Sequence, residues 1–196
     1  RDSKCYVFES KNAKWSHVAS VRSLNANKHR STSTLFIQAG RGFRPRLTVS
    51  IAFIVPSGGQ CPLDIGEVFT LLGVNDVHEA FKYVFPSDKA AVGKPSEIVR
   101  SALNRTADST VESVMARLTE CIGMDRDKTE THIASLPRNE FLPHCGISSS
   151  KHVLKRKLLY YGCMIRRLAS VLCGLTQPCD RDATVNKRVH GVGEVS

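Results

Sequence analysis

Two aspartates near the carboxyl end of the chain come closest to a spacing that could do metal chemistry. Asp180 and Asp182 flank Arg181, and side chains two positions apart on an extended strand share a face, so both carboxylates could reach one Mg²⁺. The intervening arginine makes an ion-pair network at least as good an alternative, and Lys187 and Arg188 follow within reach of a turn. We therefore predict that Asp180 and Asp182 are structural ion-pair partners of basic residues, and we expect no metal there.

The cysteines are a second set with possible chemistry. There are seven, an odd number, and no CxxC pair occurs. A zinc site from His144, Cys145, Cys173 and Cys179 is conceivable. A Cys/His nucleophile at His144 and Cys145 is weak, because adjacent side chains point apart. Since no secretory leader pattern precedes the first strand, we expect free thiols in a reducing compartment. No phosphate loop, nucleophile elbow or HExxH motif is present, so these motifs predict no catalytic residue in this chain.

Charge is distributed unevenly along the 196 residues, whose net charge is +10. Residues 1–46 carry 10 Lys/Arg against 2 Asp/Glu, residues 47–150 carry 9 against 13, and residues 151–188 carry 9 against 2. Basic ends that flank an acidic middle suit a polyanion such as nucleic acid. A solvated basic surface that faces an acidic partner subunit explains the pattern equally well. The longest strongly apolar stretch, residues 47–55, is too short to span a bilayer, so we expect no membrane contact.

Periodicity predicts the elements that would position these groups. Strand patterns occupy the first 55 residues, and alternation is clearest from Leu47 to Val55. Helical patterns follow to the end of a long helix at residues 151–173, and we therefore predict an α+β fold with an antiparallel sheet followed by a mainly helical body. The predicted strands are 5–9, 16–23, 33–38 and 47–55, and the predicted helices are 65–72, 77–85, 98–103, 110–122 and 151–173.

Two predicted helices carry specific expectations about burial. In the fourth, the apolar spacing places Val111, Val114, Met115, Leu118 and Ile122 on the buried face. In the long helix, one continuous apolar stripe faces the core, and basic residues occupy much of the remaining surface. We expect that basic surface to be mainly the solvated side of a packed helix. The stripe consists of Leu154, Leu158, Tyr161, Ile165, Leu168 and Leu172, and the basic residues are Lys151, Lys155, Arg156, Lys157, Arg166 and Arg167.

Four blocks resemble the second-largest subunit of multisubunit DNA-directed RNA polymerase, in its RNA polymerase II-like form. Residues 16–23 (Ser-His-Val-Ala-Ser-Val-Arg-Ser) look like one of its strands, and 140–146 (Glu-Phe-Leu-Pro-His-Cys-Gly) resemble its Leu-Pro-His segment. Residues 159–168 (Leu-Tyr-Tyr-Gly-Cys-Met-Ile-Arg-Arg-Leu) are similar to its Tyr-Phe-Leu-Gly-Tyr-Met helix. Residues 180–188 contain Asp-Arg-Asp and Asn-Lys-Arg, like its Asp-Asp-Arg-Asp and Asn-Lys-Arg segment. The order and spacing of the blocks also agree with that family.

The resemblance implies a supporting role in transcription. The matching region of the family is the lobe, which forms one wall of the cleft for downstream DNA and docks small subunits and initiation factors. It implies that residues 1–55 belong to the preceding protrusion-side sheet and the lobe entry, 56–179 to the lobe, and 180–196 to an exit toward the fork. Arg181, Lys187 and Arg188 would then lie near DNA. Nucleotide addition would use Mg²⁺ held by the largest subunit, so this chain would act as an enzyme only within the complex.

The chain departs from the family pattern at several positions. Ser20 stands where the family has Glu, and Cys179 stands where it has Asp. Residues 189–194 read Val-His-Gly-Val-Gly-Glu, nearer to the bacterial β subunit than to the family's Leu-Asp-Leu-Ala-Gly. Such departures suit a divergent eukaryote, with a nuclear protein, or a large DNA virus, with a cytoplasmic one. The alternatives are a stand-alone nucleic-acid-binding module and an interaction scaffold for transcription factors.

Charge reversal should reveal which basic residues meet DNA. We expect the chain to bind duplex DNA non-specifically, with a dissociation constant on the order of 10⁻⁴ to 10⁻⁶ M at physiological salt. Reversing Lys187 and Arg188 to Glu should flatten the log–log salt dependence by about 0.9 for each lost phosphate contact. The same reversal at Arg166 and Arg167 should matter less, because that helix is predicted to pack against the core. Binding of both variants is measured across a salt series. Loss of the salt dependence in the Arg166/Arg167 variant alone would place the DNA-facing surface on the helix.

Overall fold

A computed structural model describes residues 35–40, 45–51, 63–87, 93–122, 127, 131, 141–142, 145–148 and 150–177. The predicted strands at 5–9 and 16–23 and the segment 180–196 lie outside this part of the chain. The predicted boundaries at 55/56 and 179/180 therefore stay predictions. Within the described part, strands come first and helices follow, which confirms the predicted α+β class.

A small antiparallel sheet opens the described fold. Strand β1 covers Leu35–Ala39, β2 covers Leu47–Ile51 and β3 covers Leu63–Asp64, and the strands lie side by side in that order. In the β1–β2 register Ile37 faces Val49, and both side chains are buried. Burial of Leu47 and Val49 confirms the predicted inward face of the second strand. Strand β3 was not predicted, because two residues are too few to show alternation.

Five helices follow the sheet in the described residues: α1 Ile65–Leu71, α2 Val77–Val84, α3 Lys94–Asn104, α4 Val111–Ile122 and α5 Lys151–Leu172. Their ends follow local chemistry. The Asp76 carboxylate accepts hydrogen bonds from the backbone N–H groups of His78 and Glu79 at the start of α2. The Ser150 hydroxyl accepts from the N–H of Val153 at the start of α5.

Helix α3 begins four residues before its predicted start at residue 98. Pro95 lies outside the predicted helix, yet it belongs to the first turn of α3. Proline is tolerated there, because its fixed φ suits a helix and the first N–H groups of a helix lack intrahelical acceptors in any case. The predicted start at residue 98 was therefore too late.

One apolar core joins the strands to the helices. It contains Ile37 and Val49 from the sheet together with Phe69, Leu118 and Tyr161 from three helices. Two burial predictions were wrong. Val111 is 41% exposed because it is the first residue of α4 and precedes the turn that packs inward. Lys157, which had been assigned to the solvated surface of the long helix, is fully buried.

Helix α5 packs against α2 and α3, and its backbone lies very close to that of α2 at Gly162. A Cβ atom at Gly162 would lie 2.2 Å from the carbonyl oxygen of Tyr83 and 2.6 Å from its carbonyl carbon. Both atoms are backbone, so no side-chain rotation could relieve the overlap. The absence of a side chain at Gly162 therefore sets the distance between the two helices.

Replacing Gly162 with alanine should destabilise the chain severely. The added methyl group must push α5 away from α2 and open the core, which we expect to lower the free energy of unfolding by about 3 kcal/mol or more. The neighbouring change Cys163→Ala lies on an exposed position and should alter stability by no more than about 0.5 kcal/mol. Urea denaturation of both variants measures the difference. Equal stability of the two variants would show that the helices do not approach this closely.

Candidate functional site

The residues predicted from sequence to meet DNA or form ion pairs lie outside the described part of the chain. These are Asp180, Arg181, Asp182, Lys187 and Arg188, and their roles stay predictions. In the residues that the structure does describe, no group of three or more His, Cys, Asp or Glu side chains is placed to hold a metal ion. No helix of that part is long and apolar enough to cross a membrane.

The four-residue zinc set suggested by the sequence does not fit the positions of its two described cysteines. Cys145 is close enough to Lys157 for their charges to interact, whereas Cys173 caps the far end of α5. Lys157 and Cys173 are about 24 Å apart along the helix axis at 1.5 Å per residue. Burial also raises the pKa of both thiols, which disfavours the thiolate that binds zinc. Cys145 and Cys173 therefore cannot share one zinc ion.

A pair of arginine–carboxylate contacts holds the junction of β3 and α1. Arg46 donates two hydrogen bonds to the Asp64 carboxylate, at 2.8 and 2.9 Å, and this pairing raises the arginine pKa. The Glu67 carboxylate accepts from the backbone N–H of Asp64 at 2.6 Å and from Arg117 on α4. Both carboxylates are buried and already bonded to donors. They join the sheet, α1 and α4, and they are not arranged as an acid/base pair.

The inner face of α5 is centred on Tyr161. Its ring is completely buried between Phe69, at a centroid distance of 4.9 Å, and Phe141, at 5.5 Å. Its hydroxyl donates to the backbone carbonyl of Ile65 at 3.2 Å. This hydrogen bond satisfies a buried donor that would otherwise have no partner. Burial raises the pKa of Tyr161 well above its usual range, so the phenol stays neutral and its role is structural.

Lys157 is a titratable residue whose burial was not predicted from the sequence. Its side chain is fully buried, and desolvation lowers the pKa of its ammonium group. It interacts with other parts of the chain. Its spacing could have revealed it, because Lys157 lies four residues after Val153 and four before Tyr161, both of them buried.

The outer face of α5 is the most distinctive exposed surface among the described residues. It lies opposite the buried stripe and combines basic, aromatic and aliphatic side chains. Leu159 is 41% exposed and Tyr160 is 44% exposed. No acidic residue occurs between positions 151 and 172, so the helix itself does not neutralise this surface. We define the outer face of α5 as His152, Lys155, Arg156, Leu159, Tyr160, Cys163, Arg166 and Arg167.

Comparison with known proteins connects this chain to transcription. No protein-family model matches it. It is 25% identical over 203 residues to "DNA-directed RNA polymerase II subunit 2" of Arabidopsis thaliana, a match that covers 96% of this chain and 16% of that protein. The chain is thus similar, over nearly its whole length, to a region of an RNA polymerase second subunit. It spans about one sixth of the length of that relative.

Two of the polymerase-like blocks have a visible structural role. Block 159–168 lies on α5 and supplies both Tyr161 and Gly162, the residues that set its contacts with α1 and α2. Within block 140–146, Phe141 contacts the Tyr161 ring and Leu142 is buried. The two blocks therefore meet in the core, which gives a physical reason for their occurrence together in one sequence.

The buried lysine predicts a pH-dependent stability. Since its folded pKa lies below its unfolded value of about 10.4, the unfolded chain binds more protons between these two values, and stability rises with pH in that window. Lys157→Met should remove this rise, which amounts to at most about 1.4 kcal/mol per pH unit. It also removes a charge that lowers the Cys145 pKa. A higher folded pKa of that thiol makes stability fall as pH rises, so both effects lower the slope of stability against pH.

The matched control is Lys155→Met, at an exposed position of the same helix. It should keep the pH slope of the unsubstituted protein. Urea denaturation at several pH values from about 8 to 10.4 compares all three proteins across the titration range of lysine. Identical slopes for Lys157→Met and the unsubstituted chain would mean that Lys157 is solvated and ordinary.

Proposed function

We propose that this chain is the lobe region of the second-largest subunit of a DNA-directed RNA polymerase, where it forms one wall of the DNA cleft and docks other proteins. The observation that carries the proposal is the similarity to RNA polymerase II subunit 2 over 96% of the chain. The four blocks in family order, spread from residue 16 to residue 188, add to it. A chance match would not be expected to keep both the order and the spacing.

The architecture supports a scaffold role. The described carboxylates of the core, Asp64 and Glu67, are already bonded to arginines, and the buried tyrosine is held neutral. The aspartates that hold Mg²⁺ for nucleotide addition would belong to the largest subunit. This chain would contribute to nucleotidyl transfer by shaping the cleft, and it would need no cofactor of its own.

We expect the contacts with DNA and the contacts with protein to lie in different parts of the chain. Arg181, Lys187 and Arg188 match the family segment that leads toward the fork, so they are the residues proposed to meet DNA phosphates. Phosphate contacts of this kind position a duplex without reading its sequence. The outer face of α5 is proposed to meet protein. The partners would be the largest subunit, small subunits and initiation factors, in the nucleus or, for a large DNA virus, in the cytoplasm.

A second candidate function is a stand-alone interaction module for transcription factors, without a polymerase attached. The exposed Leu159 and Tyr160 on a basic helix favour it, because such a surface suits a protein partner whether or not a polymerase is present. The two candidates differ in what the intact gene product assembles with.

Purification of the intact gene product tests the choice. The gene is tagged at its own locus, and the purified material is assayed for template-dependent RNA synthesis with nucleotides and Mg²⁺. We expect the largest polymerase subunit at one copy per tagged chain, together with RNA synthesis. The isolated 196-residue chain, used as the matched control, should synthesise nothing. Purified material without the largest subunit would reject the polymerase assignment, and synthesis by the isolated chain would reject its supporting role.

A further inference from the structure

The charge of α5 is unusual because nothing on the helix balances it. Its 22 residues include six Lys or Arg and no Asp or Glu. Only Lys157 is buried, so the other five contribute to the surface or the helix ends. Like charges four residues apart, such as Lys151 and Lys155, destabilise a helix. A helix that keeps this arrangement on its solvent side is suited to an anionic partner.

The positions of the side chains on the outer face indicate which kind of anionic partner fits it. At 3.6 residues per turn, the outer face spans an arc of about 140°, with Leu159 near its middle. Lys155 and Arg156 lie about 5 Å before Leu159 along the axis, and Arg166 and Arg167 about 11 Å after it. An aliphatic centre is thus flanked by two pairs of cations, and the pairs are about 17 Å apart.

This order favours a protein over a nucleic acid. Phosphate binding is carried by Lys and Arg, and it gives no reason for an aliphatic side chain that is 41% exposed. Protein interfaces combine an apolar centre, enriched in tyrosine and arginine, with a polar rim. The outer face of α5 has that order along the helix axis, with Leu159 and Tyr160 between the two pairs of cations.

We infer that the outer face of α5 binds an acidic segment of a partner protein, in which apolar side chains lie between two groups of Asp or Glu. The inference deepens the docking role proposed above and rests on it for its biological setting. The acidic groups pair with Lys155 and Arg156 at one end and with Arg166 at the other, where Arg167 already interacts with other parts of the chain. The apolar side chains cover Leu159. A helical segment would need about 11 residues to reach both cation pairs.

The direct test is peptide binding to the full 196-residue chain, measured by fluorescence anisotropy. The probe is a synthetic peptide of about 16 residues, long enough for a helix to span both cation pairs, with Glu at both ends and Leu and Phe in the middle. A second peptide keeps every Glu and replaces Leu and Phe with Ser. We expect the first peptide to bind about tenfold more tightly than the second, a difference of about 1.4 kcal/mol.

Matched substitutions locate the binding surface. Leu159→Ala should weaken binding of the first peptide about fivefold to tenfold, or about 1–1.4 kcal/mol. Val111→Ala is the control, since Val111 has the same 41% exposure on a different helix. Lys155→Glu with Arg156→Glu should weaken both peptides, whereas Lys82→Glu, at an exposed position on α2, should weaken neither. Circular dichroism verifies that each variant keeps its helices. Tyr160 and Arg167 are left unchanged, because each interacts with other parts of the chain.

Each outcome decides the inference. Equal binding of the two peptides, or equal binding by Leu159→Ala and Val111→Ala, means that the surface is merely cationic and overturns it. Tighter binding of a 20-base-pair DNA duplex, lost in the Lys155/Arg156 variant, assigns the surface to nucleic acid and also overturns it. Because the isolated chain suffices for this assay, its result is independent of the purification test. Peptide binding without a co-purified polymerase would leave the docking surface standing and remove the polymerase assignment.

Discussion

The close crossing of α5 over α2 is the constraint on which the rest of the described structure depends. Gly162 leaves no room for even one methyl group against the backbone of Tyr83. One residue earlier, Tyr161 fills the space between Phe69 and Phe141 and bonds the first residue of α1. A small residue for close approach and a large one for filling the core thus stand side by side. Together they fix both the distance and the rotation of α5.

Because the rotation of α5 is fixed, one face of the helix is buried and the other is exposed to solvent. The inner face buries apolar side chains and also Lys157, whose desolvation is unfavourable for the charged form. The outer face keeps cations around Leu159 and Tyr160 in water. Arg46 and Arg117 tie the β3–α1 junction to the sheet and to α4 through Asp64 and Glu67. The helical body therefore fixes which face of α5 is exposed.

Periodicity predicted the elements better than their ends. The long stripe of α5 and the alternation of β2 are repeated signals, so the helix and the strand were both predicted. The two-residue β3 carried no pattern, and the predicted start at residue 98 left Pro95 outside α3 although it suits the first turn of that helix. Lys157 was misplaced because residue type was given more weight than its spacing between Val153 and Tyr161. The predicted DNA-facing residues lie outside the described part of the chain. The basic side of α5 was predicted from periodicity, and the structure adds the exposure of Leu159 and Tyr160.

We propose that this body forms part of a polymerase, with its carboxyl-terminal basic segment toward DNA and the outer face of α5 toward protein. Electron cryomicroscopy of the native complex, purified through the tagged gene product and bound to template, tests it most directly. We expect density for α5 crossing α2 at Gly162 within the wall of the DNA cleft. We also expect Lys187 and Arg188 near phosphates, and protein rather than DNA over Leu159. A complex in which this chain lies away from the cleft, or in which duplex DNA covers Leu159, would contradict it.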